Sequence, residues 1–205
     1  MKVLLFLPKA FEHMESSVFI DVLGWARHEF SHDIQLVTAG FTRDVVSTFN
    51  IPIQVNALFE EIVVKEYDAL AIPGGFGSFG YLDEAHDERL LELIREFNRQ
   101  EKPISAVCMA GMSLGKSGVL KGRKSTTYHL RDSPRLNELS EYGAIPMRER
   151  IVVDRNVITS CGPETAIWVA FKLLEMLTSK KQMEEVKDAM GYRHIIDQNG
   201  EVVER

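Results

Sequence analysis

The feature that most constrains this chain is a repeated alternation of two periods. Short apolar runs, each ended by a turn, alternate with longer stretches whose apolar residues follow helical spacing. KVLLFL (residues 2–7) is nearly continuous in apolar character, as expected of a strand buried on both faces. DIQLVTA, YDALAIPGG and PISAVC read as further strands, and RIVVDRNVITS as a hairpin turning near Asp154 to Asn156. Between them, MESSVFIDVLGWARHEF places Val18, Phe19, Val22, Leu23 and Ala26 at helical spacing. DERLLELIREFNRQ does the same with Leu90, Leu91, Leu93, Ile94 and Phe97. MAGMSLGKSGVL starts a helix that ends near Gly118, and SPRLNELSEYG is a short helix with a Ser cap and a Gly stop. PETAIWVAFKLLEMLTS carries Pro in its first turn. KQMEEVKDAM is a last short helix, and the tail DQNGEV holds an Asn-Gly turn. Residues 41–66 carry a weaker signal, with IPIQVN as a short strand. Strand alternating with helix is the pattern of a mostly parallel sheet with helices on both faces, an α/β fold. The length of 205 residues suits one domain spanning 1–205, and the chain shows no internal repeat, low-complexity stretch or linker.

Charge narrows the partners. The net charge of -6 leaves no basic excess to neutralise phosphates, so neither nucleic acid nor an acidic membrane is an expected partner. Two cysteines, Cys108 and Cys161, form no CxxC pair and no disulfide framework, which fits a reducing cytosol. The apolar run at the N-terminus stops at Pro8, short of a signal core of roughly 7–15 residues. No segment has the ~20 apolar residues of a membrane helix. A cytoplasmic protein is the expectation.

Chemistry is expected at the carboxyl ends of the strands, where ligands bind in open parallel sheets. Three ends stand out: PKAFEHME, PGGFGSFG and the cysteine of ISAVCMAGMSLG. Small residues flank Cys108, with Ala106 before it and Ala110 and Gly111 after it. A nucleophile elbow requires that pattern, because larger side chains two residues away collide in so sharp a strand-to-helix turn. A helix N-terminus and nearby donors lower a thiol pKa from ~8.5 by a unit or more, so an activated thiolate is expected. Backbone N–H groups of Gly74, Gly75 and Met109 are candidates to hold a developing oxyanion. The alternative is a buried core thiol that happens to end a strand. No Walker loop or dinucleotide fingerprint is present, so no cofactor is expected.

With these residues in view, FLPKAFEHMES, YDALAIPGGFG, ISAVCMAG, GRKSTTYH and VITSCGPETA resemble, in order and spacing, successive motifs of the ThiJ/PfpI superfamily over about residues 2–190. The superfamily includes deglycases, glyoxalase III enzymes, isonitrile hydratases and PfpI-type proteases. The resemblance implies a flavodoxin-like three-layer sandwich of the class I glutamine amidotransferase-like kind, usually a homodimer. It also implies that Glu15 reaches the nucleophile as a carboxyl group, often protonated. A carboxyl beside a thiolate is a like-charge pair whose pKa rises, so it can donate to sulfur or shuttle a proton. Without the resemblance, Glu15 equally suits the first turn of a helix.

Two departures matter. Met109 stands where protease-like members carry a histidine, which argues against peptidase activity. STTYH puts Tyr128 where other members carry a histidine, with His129 one residue later. A shift of one residue turns a side chain to the other face, so His129 is a candidate base only if the chain bulges, and Tyr128 otherwise offers its hydroxyl. Cys161 reads as structural or as a secondary thiol. HEFSH (His28 to His32) matches the zinc-protease letters, but the following DIQLVTAG reads as a strand, so the helix must stop in or just after the motif. No metal site is expected.

Two functions follow. In the first, Cys108 attacks a small electrophile in a glyoxalase/deglycase-like or hydrolase/hydratase-like reaction, with Glu15 moving protons. In the second, the protein is a non-catalytic oxidative-stress sensor or chaperone whose Cys108 is oxidised to a sulfinate, since oxidation follows thiolate character and exposure.

Overall fold

A computed structural model describes residues 1–192, 195–196 and 202–203. The elements begin with β1 (Lys2–Phe6), α1 (His13–Phe30), β2 (Gln35–Gly40), the small hairpin β3 (Asp44–Val46) and β4 (Pro52–Gln54), and β5 (Ala57–Leu58). They continue with β6 (Ala69–Ile72), α2 (Tyr81–Ala85), α3 (Glu88–Arg99), β7 (Ile104–Val107), α4 (Ala110–Lys116) and β8 (Lys124–Ser125). The last are α5 (Arg135–Glu141), β9 (Ile145–Pro146), β10 (Ile151–Asp154), β11 (Val157–Ser160), α6 (Ala166–Leu177) and α7 (Lys180–Ala189).

Seven strands form the central sheet in the order β10-β11-β7-β6-β1-β2-β5. Every pairing in it is parallel except β10 with β11. The apolar runs are continuous because both faces are covered. Val3 and Leu5 of β1 enter a core shared with α1, α6 and α7, while Leu4 and Phe6 enter the opposite core beside α3, α4 and α5. The expected mostly parallel α/β sandwich is the observed architecture. In α3, Leu90, Leu91, Leu93, Ile94 and Phe97 are all buried, and Asp87 caps the helix by accepting from the Arg89 N–H at 2.9 Å.

The weak stretch 41–66 resolves into the β3–β4 hairpin, the edge strand β5 and two 3₁₀ turns at 59–61 and 64–66. Its ambiguity follows from two- and three-residue elements, too short to show a period. The Ser cap expected for α5 is corrected: Pro134 is the cap position, and the Ser133 hydroxyl reaches the Arg135 N–H only at 3.4 Å. The helix carrying HEFSH stops at Phe30, and Ser31 turns left-handed with φ of 54°. His28 and His32 therefore do not share one face of a continuous helix. The Asn199-Gly200 turn lies outside the described residues. No helix among the described residues is long and apolar enough to cross a membrane.

Candidate active site

The carboxyl ends of β1, β6, β7 and β11 meet at one edge of the sheet, and backbone hydrogen bonds tie the loops leaving them together. The Glu12 N–H donates to Gly74 O at 2.8 Å, and the Cys108 N–H donates to Ser160 O at 2.9 Å. Phe11 and Gly75 form an isolated antiparallel bridge. Space there is so tight that only glycine fits. A Cβ on Gly75 would lie 2.1 Å from Ala10 O, and one on Gly74 would lie 2.7 Å from Val107 O and 2.8 Å from the Met109 nitrogen.

Cys108 occupies the seam between β7 and α4 with φ of 56°, in the left-handed region that residues with a Cβ seldom adopt. Such a conformation costs of order 1–3 kcal/mol and persists only when its surroundings over-determine it. Here two contacts do so: the bond to Ser160, and the Thr127 hydroxyl, which donates to Cys108 O at 2.8 Å. The flanking small residues are needed for the same reason. A Cβ on Gly111 would sit 2.8 Å from Thr126 O.

Glu15, in the first turn of α1, is fully buried among these loops. The Gly74 N–H donates to its Oε2 at 2.6 Å. Its Oε1 is buried and has no hydrogen-bond partner among the described residues. The Cys108 thiol lies near enough to the same carboxyl for each group to shift the other's titration. Burial, with the charge of Glu12 second, pushes the Glu15 pKa up to about 8; the Gly74 hydrogen bond and the nearby Cys108 thiol oppose it.

The expectation of an acidified thiol is corrected. Burial first, then the Glu15 charge, push the Cys108 pKa well above its ordinary value, and the Met109 N–H only partly offsets them. A helix of seven residues beginning at Ala110 does not outweigh a buried carboxylate at contact. At neutral pH the pair therefore holds both protons, and the first to leave is that of Glu15.

A cavity of about 410 Å³ opens in front of the thiol, and its walls include Cys108, Met109, Gly75, Tyr128, Glu12 and Arg135. The Gly74 N–H is spent on Glu15, so the expected trio of oxyanion donors reduces to Gly75 and Met109. Neither of these donates to a backbone acceptor among the described residues. Tyr128 faces the cavity and His129 does not line it. His129 is buried, with Nδ1 3.0 Å from Thr127 O and 3.2 Å from the Thr126 hydroxyl. The carbonyl acceptor assigns the proton to Nδ1. The ring is thus tied to its own chain segment and does not line the cavity beside Cys108. Cys161 is buried outside the cavity wall, its N–H on Arg150 O at 2.9 Å, and burial raises its pKa.

Three site residues had no signal in the sequence reading. Tyr81 is fully buried and donates through its hydroxyl to Pro73 O at 2.7 Å, which fixes the peptide before Gly74. Thr127 anchors the elbow, and Arg135 reaches the cavity from α5. Tyr81 and Arg135 are brought in by tertiary packing from segments with no motif of their own, whereas Thr127 lies within GRKSTTYH, where only Tyr128 and His129 drew attention.

Known proteins resemble this chain in sequence and in fold. Residues 1–176 match the DJ-1/PfpI family. The isonitrile hydratase of Pseudomonas putida is 31% identical over 151 residues, 72% of this chain and 61% of that protein. The deglycase PfpI of Pyrococcus furiosus is 29% identical over 137 residues, 66% of this chain and 76% of that protein. The crystal structure of Drosophila melanogaster DJ-1beta superimposes with a TM-score of 0.78 at 26% identity, covering 92% of this chain and 96% of that one. With the sheet order, the strained cysteine and the buried glutamate already in place, the chain belongs to the DJ-1/PfpI family.

Proposed function

We propose that this protein is a cysteine-dependent enzyme acting on a small electrophilic carbonyl compound, with Cys108 as nucleophile and Glu15 as its proton partner. The observation that carries the reading is the buried carboxyl held against a thiol in a strained elbow at the mouth of a cavity. The reactive form is the pair with Glu15 ionised. Its carboxylate takes the thiol proton as Sγ bonds to the carbonyl carbon. The π electrons move to the carbonyl oxygen, which the Gly75 and Met109 N–H groups receive. Glu15 then returns the proton to that oxygen, closing a hemithioacetal. The Tyr128 hydroxyl is available to orient the substrate from the cavity wall. Among the relatives, a deglycase and a hydratase are the named activities. Assembly as a homodimer in the cytoplasm belongs to the same proposal.

A specific arrangement favours one other reading. A neutral Glu15 O–H with the Gly75 and Met109 N–H groups suits the two oxygens of a cysteine sulfinate, the oxidised state of a stress sensor. Turnover of methylglyoxal and of glyoxal by the wild type and by Cys108→Ala separates the two. The enzyme reading expects loss of at least about a hundredfold in Cys108→Ala. Equal turnover in both proteins removes Cys108 from the chemistry. No turnover in either, with a stable two-oxygen adduct on Cys108 after peroxide, selects the sensor.

A further inference from the structure

The cavity in front of Cys108 has charged side chains of both signs in its walls. Its described walls carry one acidic side chain, Glu12, and one basic side chain, Arg135. Glu12 belongs to the thiol end, because its charge acts on both Glu15 and Cys108. Arg135 approaches the cavity from α5, on the Gly77 side of the rim. It is the first residue of α5, and its side chain is 29% exposed. Nη1 is held by Glu138 Oε2 at 2.5 Å. Nη2 has no protein acceptor among the described residues and lies 4.0 Å from where a Cβ of Gly77 would stand. The guanidinium therefore sits beside Gly77 on the cavity rim, with Nη1 held by Glu138 and Nη2 left without a protein acceptor among the described residues. The hydroxyls of Ser78 and Ser133 line the same cavity.

The geometry points to Arg135 as a specificity-determining residue that receives a carboxylate of the substrate, which makes the substrate class a small aldehyde or ketone bearing a carboxylate, such as a 2-oxo acid. This rests on Cys108 being the reacting nucleophile. A guanidinium edge pairs with a carboxylate through parallel charge-assisted hydrogen bonds. Glu12 repels the same carboxylate from the thiol end, so the two charges together orient the carbonyl toward Sγ. A carboxylate fits better than a phosphate. Only one edge of the guanidinium is free, Glu12 already balances its charge within the cavity, and the whole chain carries -6. A neutral aldehyde would leave Nη2 facing water and gain nothing from it.

Alkylation of Cys108 by iodoacetate and by iodoacetamide tests this without any turnover. The reagents are nearly isosteric and differ in charge; in both, the C–S bond forms as iodide leaves and the thiol proton is released. The readout is the ratio of the two rates at Cys108, followed by peptide mass. Arg135→Gln is expected to lower that ratio by about tenfold, with Arg135→Lys between it and the wild type. Glu138→Ala removes the acceptor of Nη1, frees the second edge and is expected to raise it, which a merely structural role for Arg135 would not do. An unchanged ratio in Arg135→Gln, with Cys108 still alkylated, overturns the inference. Protection against iodoacetamide supplies the second arm. Glycolate is expected to protect the wild type and not Arg135→Gln, whereas stronger protection by inorganic phosphate at equal concentration overturns the carboxylate assignment. Should the ratio fall in Arg135→Gln while Cys108→Ala keeps its turnover, the anion site stands and the nucleophile reading fails. If neither reagent alkylates Cys108, both fail together.

Discussion

Glu15 keeps its proton where an ordinary glutamate gives it up, and that has a consequence for stability with a definite sign. Its pKa is about 8 in the folded protein against an ordinary value of 4.5, because burial penalises the carboxylate. Between those values the folded state binds more protons than the unfolded state, so Glu15 lowers stability as pH rises through that window. The full effect is on the order of 4–5 kcal/mol, large against a total of roughly 5–15 kcal/mol for a domain. Glu15→Gln cannot ionise and still offers an oxygen to the Gly74 N–H. Urea unfolding at pH 5 and pH 8.5 is expected to show a marked fall for the wild type and a much smaller one for Glu15→Gln. An equal fall in both proteins would place the pH dependence elsewhere. Glu15 was legible in the sequence only through its place in HMES; nothing in its spacing distinguished a buried proton carrier from a first-turn helix acid. The protonation order of the pair was not legible at all, because it depends on burial from four loops at once.

Strand ends do at the scale of elements what single residues cannot. The apolar runs revealed β1, β2, β6 and β7 because strands buried on both faces must be apolar throughout. They also revealed where the chemistry would lie, since parallel strands end on one edge and the chain must turn there. The two- and three-residue elements between 41 and 66 stayed hidden, being shorter than any period that could betray them. Tyr128 and His129 show a subtler limit. Tyr128 lines the cavity while His129 Nδ1 is held at Thr126 and Thr127, a local geometry without a sequence signature. The loop after β6 carries the sharpest prediction at this scale. Gly74 fills a gap bounded by backbone on two sides, Val107 O at 2.7 Å and the Met109 nitrogen at 2.8 Å, with Glu15 Oε2 also at 2.8 Å. None of the three can yield without moving the elbow or the carboxyl. Gly74→Ala is expected to cost about 1–3 kcal/mol in urea unfolding and to slow Cys108 alkylation. A wild-type midpoint together with wild-type alkylation would mean that the elbow is looser than its contacts indicate.

The whole molecule presents one surface that a solitary protomer does not explain. Phe49, Phe76 and Phe79 are 63%, 44% and 56% exposed and pack on one another with ring centroids 6.0–6.5 Å apart. Val46, also exposed, shares a cleft of about 310 Å³ with Phe79, and Phe76 lines the cavity in front of Cys108. Contiguous apolar surface on this scale marks an interaction site, and its position at the cavity mouth gives the proposed homodimer a role. A second copy covering the phenylalanines would remove water from the approach to the thiol. Three rings alone fall short of the ~800 Å² per partner of a stable interface, so the contact must extend to flanking residues. The net charge of -6 on each copy opposes association, and added salt should strengthen it. Light scattering is expected to give about twice the 23.3 kDa of one chain, with Phe49→Ser combined with Phe79→Ser shifting the mass toward a single chain. A dimer that the double variant leaves intact would move the interface to another face. A single-chain mass at every concentration and salt would leave the phenylalanines as the open rim of a monomeric cavity.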